Sequence, residues 1–248
     1  MQQAVATPRH DWVRWVAGVT IVAALLVLLA GPLYRLGLDL GLVFATMRYA
    51  AMAAGLGALL CAVGAFVARK APDRRAFFLA LGGVVAGLLA FAGPLMLMAK
   101  AQSVPPIHDI STDTLDPPAF VAVLPLRADA PNPPDYAGAS VAAQQTAAYP
   151  TIRTLVLDTP PDQAYSRALA AAAALGWVIV AAVPADGRIE ATDTTAWFGF
   201  KDDVVIRIRP QGAASRVDVR SKSRVGGSDL GVNAERIGAL FERLRAPA

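Results

Sequence analysis

The chain has 248 residues, 55% of them hydrophobic and only 17% charged, with a mean hydropathy of +0.46, a balance outside the soluble globular range that points to a membrane protein. Positions 1–100 hold 9 Lys/Arg against 3 Asp/Glu, whereas positions 101–248 hold 14 against 16, so the basic character belongs to the apolar half. Nucleic acid is therefore excluded as an expected partner, because phosphate-backbone binding needs positive charge on the polar folded part.

Stretches of 20, 20 and 24 uncharged residues separate Arg14 from Arg35, Arg48 from Arg69 and Arg75 from Lys100. About 20 helical residues cover the hydrocarbon core of a bilayer, so residues 1–100 are expected to form a three-helix anchor with spans near 13–34, 47–68 and 76–98. The 13 residues or so from Arg35 to Arg48 are too short and too rich in Gly for another span. The first stretch follows Arg9 and Arg14 but lacks a clear A-x-A site before Gly31-Pro32, and it reads as an uncleaved anchor. Arg69, Lys70, Arg74 and Arg75 share a side with Arg9 and Arg14, against Arg35, Arg48 and Lys100 opposite. The positive-inside rule then puts the amino terminus in the cytoplasm and the carboxy-terminal half beyond it. No ionisable residue falls at mid-membrane, so the spans read as an anchor in the lipid bilayer, not as an ion pathway. Ala53/Gly57 and Gly83/Gly87 have helix-packing spacing, and proline in the repeated AGPL at 30–33 and 92–95 is placed to bend or end a helix.

Residues 101–150 contain nine of the 18 prolines and are expected to form an extended strap without long helices or central strands. From 151 the pattern becomes regular. Residues 152–158 read as a strand, and Asp158 or Thr159 starts a helix that Gly176 stops. Residues 177–183 and 188–195 flank a turn at Ala185-Asp186-Gly187, and 203–209 and 216–224 alternate as a second hairpin. Asn233 is placed to cap a last helix with Ile237, Leu240, Phe241 and Leu244 on one face. Strand, helix, four strands, helix predicts an antiparallel sheet with helices on one side, a two-layer α+β domain over 151–248.

The run WFGFKDDVVIRI at 197–208 and the run RSKSRVGGSDLGVNAERI at 220–237 resemble the signature of the uncharacterised "domain of unknown function 1499" family. PPIHDISTD at 105–113 is similar to the lead-in of its membrane-anchored bacterial branch. The resemblance covers about 105–245 and rests on Arg220, Ser221, Ser223, Arg224, Gly226, Ser228, Asp229, Gly231 and Asn233. Some members carry a Cys-containing segment upstream that this chain lacks. The resemblance implies a bacterial envelope protein and supplies no reaction; with the orientation above, the domain is expected in the periplasm.

Single residues narrow the chemistry further. Cys61 is the only thiol and lies in an apolar run, so no intrachain disulfide, Cys-x-x-Cys pair or thiolate zinc site is expected. His10 and His108 are the only imidazoles, and neither a metal nor a cofactor is predicted. In the last hairpin Val204, Ile206, Ile208, Val217 and Val219 alternate toward the helices. Arg207, Arg209, Arg216, Arg220, Lys222 and Arg224 point the other way. That face reads either as a solvated polar surface or as a platform for an anionic lipid, glycan or envelope protein. Ser228, Asp229 and Asn233, in the Gly-rich loop 226–233, either cradle an anion or cap the following helix. Asp202 and Asp203, consecutive in a strand, face opposite sides and make a poor acid/base pair. Trp197, Phe198 and Phe200 read as core or as a ring near the bilayer surface. His108 with Asp109, Asp113 and Asp116 is an alternative site. The leading expectation is thus a non-catalytic ligand- or partner-binding module tethered to the inner membrane; the alternative is an envelope hydrolase or transferase using His108 and the nearby aspartates.

Overall fold

The computed structural model describes residues 11–70 and 74–246. Arg9, His10 and part of the basic loop, residues 71–73, lie outside the described residues. The chain divides into two compact units, Met1–Ala99 and Lys100–Ala248.

In the first unit α1 (Asp11–Arg35), α2 (Leu40–Ala68) and α3 (Arg75–Ser103) are long and apolar enough to cross a membrane. Each exceeds the expected span. The segment before Arg48 is not a loop, because α2 already begins at Leu40, where the Asp39 carboxylate accepts from the Leu42 amide at 2.8 Å and caps the helix. Pro32 and Pro94 lie inside α1 and α3 and end neither. The helices meet through small residues. A Cβ on Gly87 would stand 2.5 Å from the Ala54 carbonyl, and one on Gly83 would stand 2.6 Å from Cys61 Sγ. Gly57 faces Thr20, but Ala53 is exposed and Ala54 is the buried member of that turn.

The second unit is an antiparallel sheet with helices on one face. Its elements are β1 (Asp109–Ser111), α4 (Ala139–Ala148), β2 (Leu155–Leu157), α5 (Pro161–Ala174), β3 (Val178–Val183), β4 (Arg188–Thr194), β5 (Lys201–Gln211), β6 (Ala214–Ser223) and α6 (Val232–Arg245). The strand order is β1-β6-β5-β4-β3, and β2 shares the outer side of β6 with β1. Asp109 lies opposite Lys222 and Leu155 opposite Val217, so two short strands cover one long edge. The predicted strand over 152–158 shortens to three residues. The β3–β4 turn needs glycine: Gly187 has φ 59°, and a Cβ there would run into the Ile208 carbonyl.

The alternation in β5 and β6 sends Val204, Ile206, Ile208, Val217 and Val219 into a core with Ala164, Ala168 and Ala172 of α5 and Ile237, Leu240, Phe241 and Leu244 of α6. The opposite face is covered by the proline-rich chain, from which Phe120 and Val123 pack on Val205. This segment contains two elements the proline count did not suggest, β1 and the ten-residue α4. Gln145 of α4 is buried and clamps the free side of β1: its Oε1 accepts from Ser111 N at 2.9 Å and its Nε2 donates to Ser111 O at 2.6 Å. A side-chain amide thus ends the sheet where another strand could add.

Candidate functional site

Every candidate residue but those of the 226–233 loop lies on, or beside, the sheet face under the proline-rich chain. The face is not the open arginine platform that strand alternation suggests. Arg220 is 3% exposed and Lys222 1%, because residues 109–136 lie over them. The proline-rich chain supplies the cover, and its carboxylates and carbonyls meet the cations. Asp109 accepts from Arg220 through both oxygens, each at 2.9 Å, and from Lys222 at 3.1 Å. Asp203 accepts from Arg127 at 2.7 Å and from Arg224 through both oxygens at 2.8 Å. Farther along, Asp113, Asp116 and Asp218 hold Arg207, Arg209 and Arg216. Glu190, fully buried on β4, pairs with Arg188 and accepts from the amides of Val121, Ala122 and Val123, each at 3.0 Å.

These contacts set the electrostatics. Burial alone would raise the Asp203 carboxyl, but hydrogen bonds from Arg224, Thr192 and Arg127 outweigh it and hold the group below the ordinary range. Burial lowers Lys222 from its ordinary value despite Asp109. Tyr136, beside Asp109 and Arg220, is pushed up to about 12, by burial first and by the Asp109 charge second. Asp116 is lowered by its hydrogen bond from Arg209 and by the charge of Arg207.

The other face carries a second polar cluster. Ser221 donates to Asn233 Oδ1 at 2.6 Å, and Asn233 Nδ2 donates to Ser223 Oγ at 3.0 Å and to the His108 carbonyl at 3.2 Å. Arg236 of α6 donates to Asp193, Asp202, Ser221 and Asn233. Asp202 and Asp203 do face opposite ways, the first toward Arg236 and the second toward Arg127. The cap of α6 is a correction: Asn233 lies inside the helix, and Asp229 accepts from the amides of Gly231 at 2.8 Å and Asn233 at 3.0 Å. Those amides were the ones expected to cradle an anion, and a resident carboxylate occupies them. Burial raises the Asp229 carboxyl although both amides pull it down. Ser228 Oγ accepts from Leu230 N at 3.3 Å within the same turn.

The alternative trio is not assembled around one point. Asp109 is engaged by Arg220 and Lys222, Asp113 by Arg207 and Arg216, and His108 enters the network through its backbone carbonyl. No group of three metal-ligating side chains occurs among the described residues. Trp197, Phe198 and Phe200 form an aromatic ladder, Phe198 stacked on Phe200 at 4.9 Å. Sequence reasoning missed Arg127, Glu190, Tyr136 and Arg236. Period-2 spacing places Glu190 on the same face as Thr192, but no local signal joins the other three to the sheet.

The family profile described as "Protein of unknown function (DUF1499)" matches residues 109–244. The chain belongs to this family. The match begins at β1 and ends in α6, so the family unit includes the proline-rich cover as well as the regular α+β elements. No curated protein matches the chain.

Proposed function

We propose that this family member is a non-catalytic ligand- or partner-binding module held at a bacterial inner membrane by its three apolar helices. Its amino terminus lies in the cytoplasm and residues 101–248 lie in the periplasm. The location is supported by the placement of Arg9, Arg14, Arg69, Lys70, Arg74 and Arg75 on one side of the spans. The binding reading is carried by one observation, the gathering of Arg127, Arg220, Lys222 and Arg224 around only two carboxylates, Asp109 and Asp203, at one end of the basic sheet face, which suits an anionic lipid headgroup, glycan or envelope protein. It is further supported by the engagement of Asp109 and Asp113 in ion pairs, since each carboxylate is committed to two cations and not directed at an open site.

Two measurements test this reading. Alkaline phosphatase fused after Lys100 should be active and green fluorescent protein at the same point dark; the reverse pattern ends the periplasmic assignment. Crosslinking in intact envelopes, with mass spectrometry of both proteins and lipids, should return the same anionic partner repeatedly. Recovery of turnover products of a small metabolite would replace the module with an enzyme.

A further inference from the structure

The basic face is not uniformly neutralised. At one end three cations, Arg207, Arg209 and Arg216, meet three carboxylates, Asp113, Asp116 and Asp218. At the other end four cations, Arg127, Arg220, Lys222 and Arg224, share only two, Asp109 and Asp203. Glu190, the next buried carboxylate, is held by three amides and by Arg188, which also pairs with the exposed Asp186, so the surplus is counted over the buried groups alone. The surplus of two charges sits where Arg127, Arg220 and Lys222 are each no more than 3% exposed. Backbone carbonyls such as those of Pro134 and Asp135 accept hydrogen bonds from Arg220 and Lys222 there. Neutral carbonyls complete the hydrogen bonding without cancelling the charge, and buried uncompensated charge is costly.

An independent observation falls in the same place. Two buried donors there have no hydrogen-bond partner among the described residues, Arg127 Nε and the Tyr136 hydroxyl, against one, Arg207 Nε, at the matched end. Arg220 lies over the Tyr136 ring and shares the Phe120 ring with Arg127. Its guanidinium lies 5.4 Å from the Tyr136 ring centre and 4.8 Å from that of Phe120, and Arg127 lies 5.5 Å from the same Phe120 ring.

Resting on the anionic-ligand reading above, we infer that this end of the face is a binding site for a phosphate-type dianion, held by Lys222, Arg220, Arg127 and the Tyr136 hydroxyl. A phosphate monoester carries about −1.5 to −2 charge at pH 7 and three acceptor oxygens. It matches both the surplus and the orphan donors, whereas a carboxylate would cancel one charge only. Tyr136 is half-buried and Asp135 exposed, so the ligand enters beside them and takes the place of the Asp135 carbonyl on Lys222. The same chemistry is offered by free phosphate and by the phosphomonoester headgroup of phosphatidic acid.

The test is the thermal midpoint of the full chain in phosphatidylcholine nanodiscs, with inorganic phosphate, with chloride of matched ionic strength, or with phosphatidic acid in the disc. A rise of about 3–6 °C at about 10 mM phosphate identifies a free anion, and the same rise in phosphatidic acid discs alone identifies the lipid. No rise in either, or an equal rise in chloride, overturns the site. Lys222→Met should raise the ligand-free midpoint, because it removes a surplus cation, and should abolish the phosphate response; a lowered midpoint makes Lys222 purely structural and overturns the inference. Tyr136→Phe should keep the ligand-free midpoint and weaken phosphate binding about tenfold; an unchanged affinity overturns it as well. A flat phosphate response with envelope crosslinking intact removes the dianion site and leaves the binding-module reading standing.

Discussion

Asp109→Asn is the sharpest perturbation of the cover, because one carboxylate there serves two buried cations. Asp109 has no exposed surface, accepts two guanidinium bonds of 2.9 Å from Arg220, and faces Lys222 at 3.1 Å. Removing one partner of a buried ion pair costs about 3–5 kcal/mol, since the other charge is left uncompensated. Two cations are stranded here, which pushes the value to the top of that range; the asparagine oxygen still accepts one bond, which pulls it back to about 4 kcal/mol. Domains are stable by only about 5–15 kcal/mol. At about 3 °C per kcal/mol for a unit of this size, the midpoint should fall by about 12 °C. The assay is thermal unfolding of the full chain in detergent, followed by near-ultraviolet circular dichroism, with Asp116→Asn alongside. The Asp116 side chain is 62% exposed, so losing its solvent-screened bond from Arg209 should lower the midpoint far less. If both variants unfold within about 3 °C of each other, charge does not dock the cover on the sheet. The double variant Asp109→Asn/Lys222→Met should recover part of the loss, and strict additivity would deny that the two groups are coupled.

Three further perturbations probe other parts of the molecule. Arg236→Met leaves Asp202, 3% exposed, without its cation, and should speed hydrogen exchange across α6 by at least about a hundredfold while β4 and β5 amides change less. Gly87→Ala places a methyl 2.5 Å from the Ala54 carbonyl and must separate α2 from α3, so maleimide labelling of the buried Cys61 should accelerate; Gly93→Ala, with open space at its Cβ, should label like the wild type. At alkaline pH two groups act with opposite sign. The Tyr136 hydroxyl ionises near 10.0 when unfolded and about 12 when folded, so its contribution is complete below pH 10 and is lost between those values; Tyr136→Phe should remove that loss. The Lys222 ammonium is held below 10.5 in the fold, so the unfolded chain binds more protons in the window just below that value and stability there rises with pH, a rise that Lys222→Met should erase. The midpoint difference between wild type and each variant, measured across pH 8–11, separates the two contributions.

The order of elements from β2 to α6 is legible in the sequence because each is written in local chemistry. Period-2 runs in β5 and β6, Gly187 between β3 and β4, and the spacing of Ile237, Leu240, Phe241 and Leu244 need no distant partner to be recognised. The cover was not legible in this way. Prolines at 105, 106, 117, 118, 133 and 134 signal an extended chain, but not that Asp109 adds a strand opposite Lys222 or that Gln145 closes it. The arginine face was correctly placed and its exposure was misjudged, because alternation tells which side a residue takes and not what lies above it. Arg127, which pairs with Asp203, is 76 residues away in the chain, and sequence spacing carries no information over that distance without a repeating pattern. In α2 the early start at Leu40 was hidden by Gly and Asp, which weaken helix propensity but leave the Asp39 cap intact.

The motif RSxSRxGxSDxGxN is best understood as the seam between the two faces of one strand. Arg220, Lys222 and Arg224 rise from β6 toward the proline-rich cover, and Ser221 and Ser223 drop from the same residues' other side toward Asn233 of α6. The turn that follows closes on itself through Asp229, whose two oxygens accept from the amides of Gly231, just before α6, and of Asn233 in its first turn. A strand with apolar side chains at these positions would still pack the helix side, but it would leave Asp109 and Asp203 buried without cations. The polar alternation therefore fixes the register of the cover: a one-residue slip of β6 would turn every arginine into the helix core and every serine toward the aspartates. Register control requires a carboxylate for each bridging cation and no more. It accounts for the matched end of the face at Asp113, Asp116 and Asp218, and it does not account for four cations sharing two carboxylates at the Asp109–Asp203 end, which is why that end is the one to probe with a dianion.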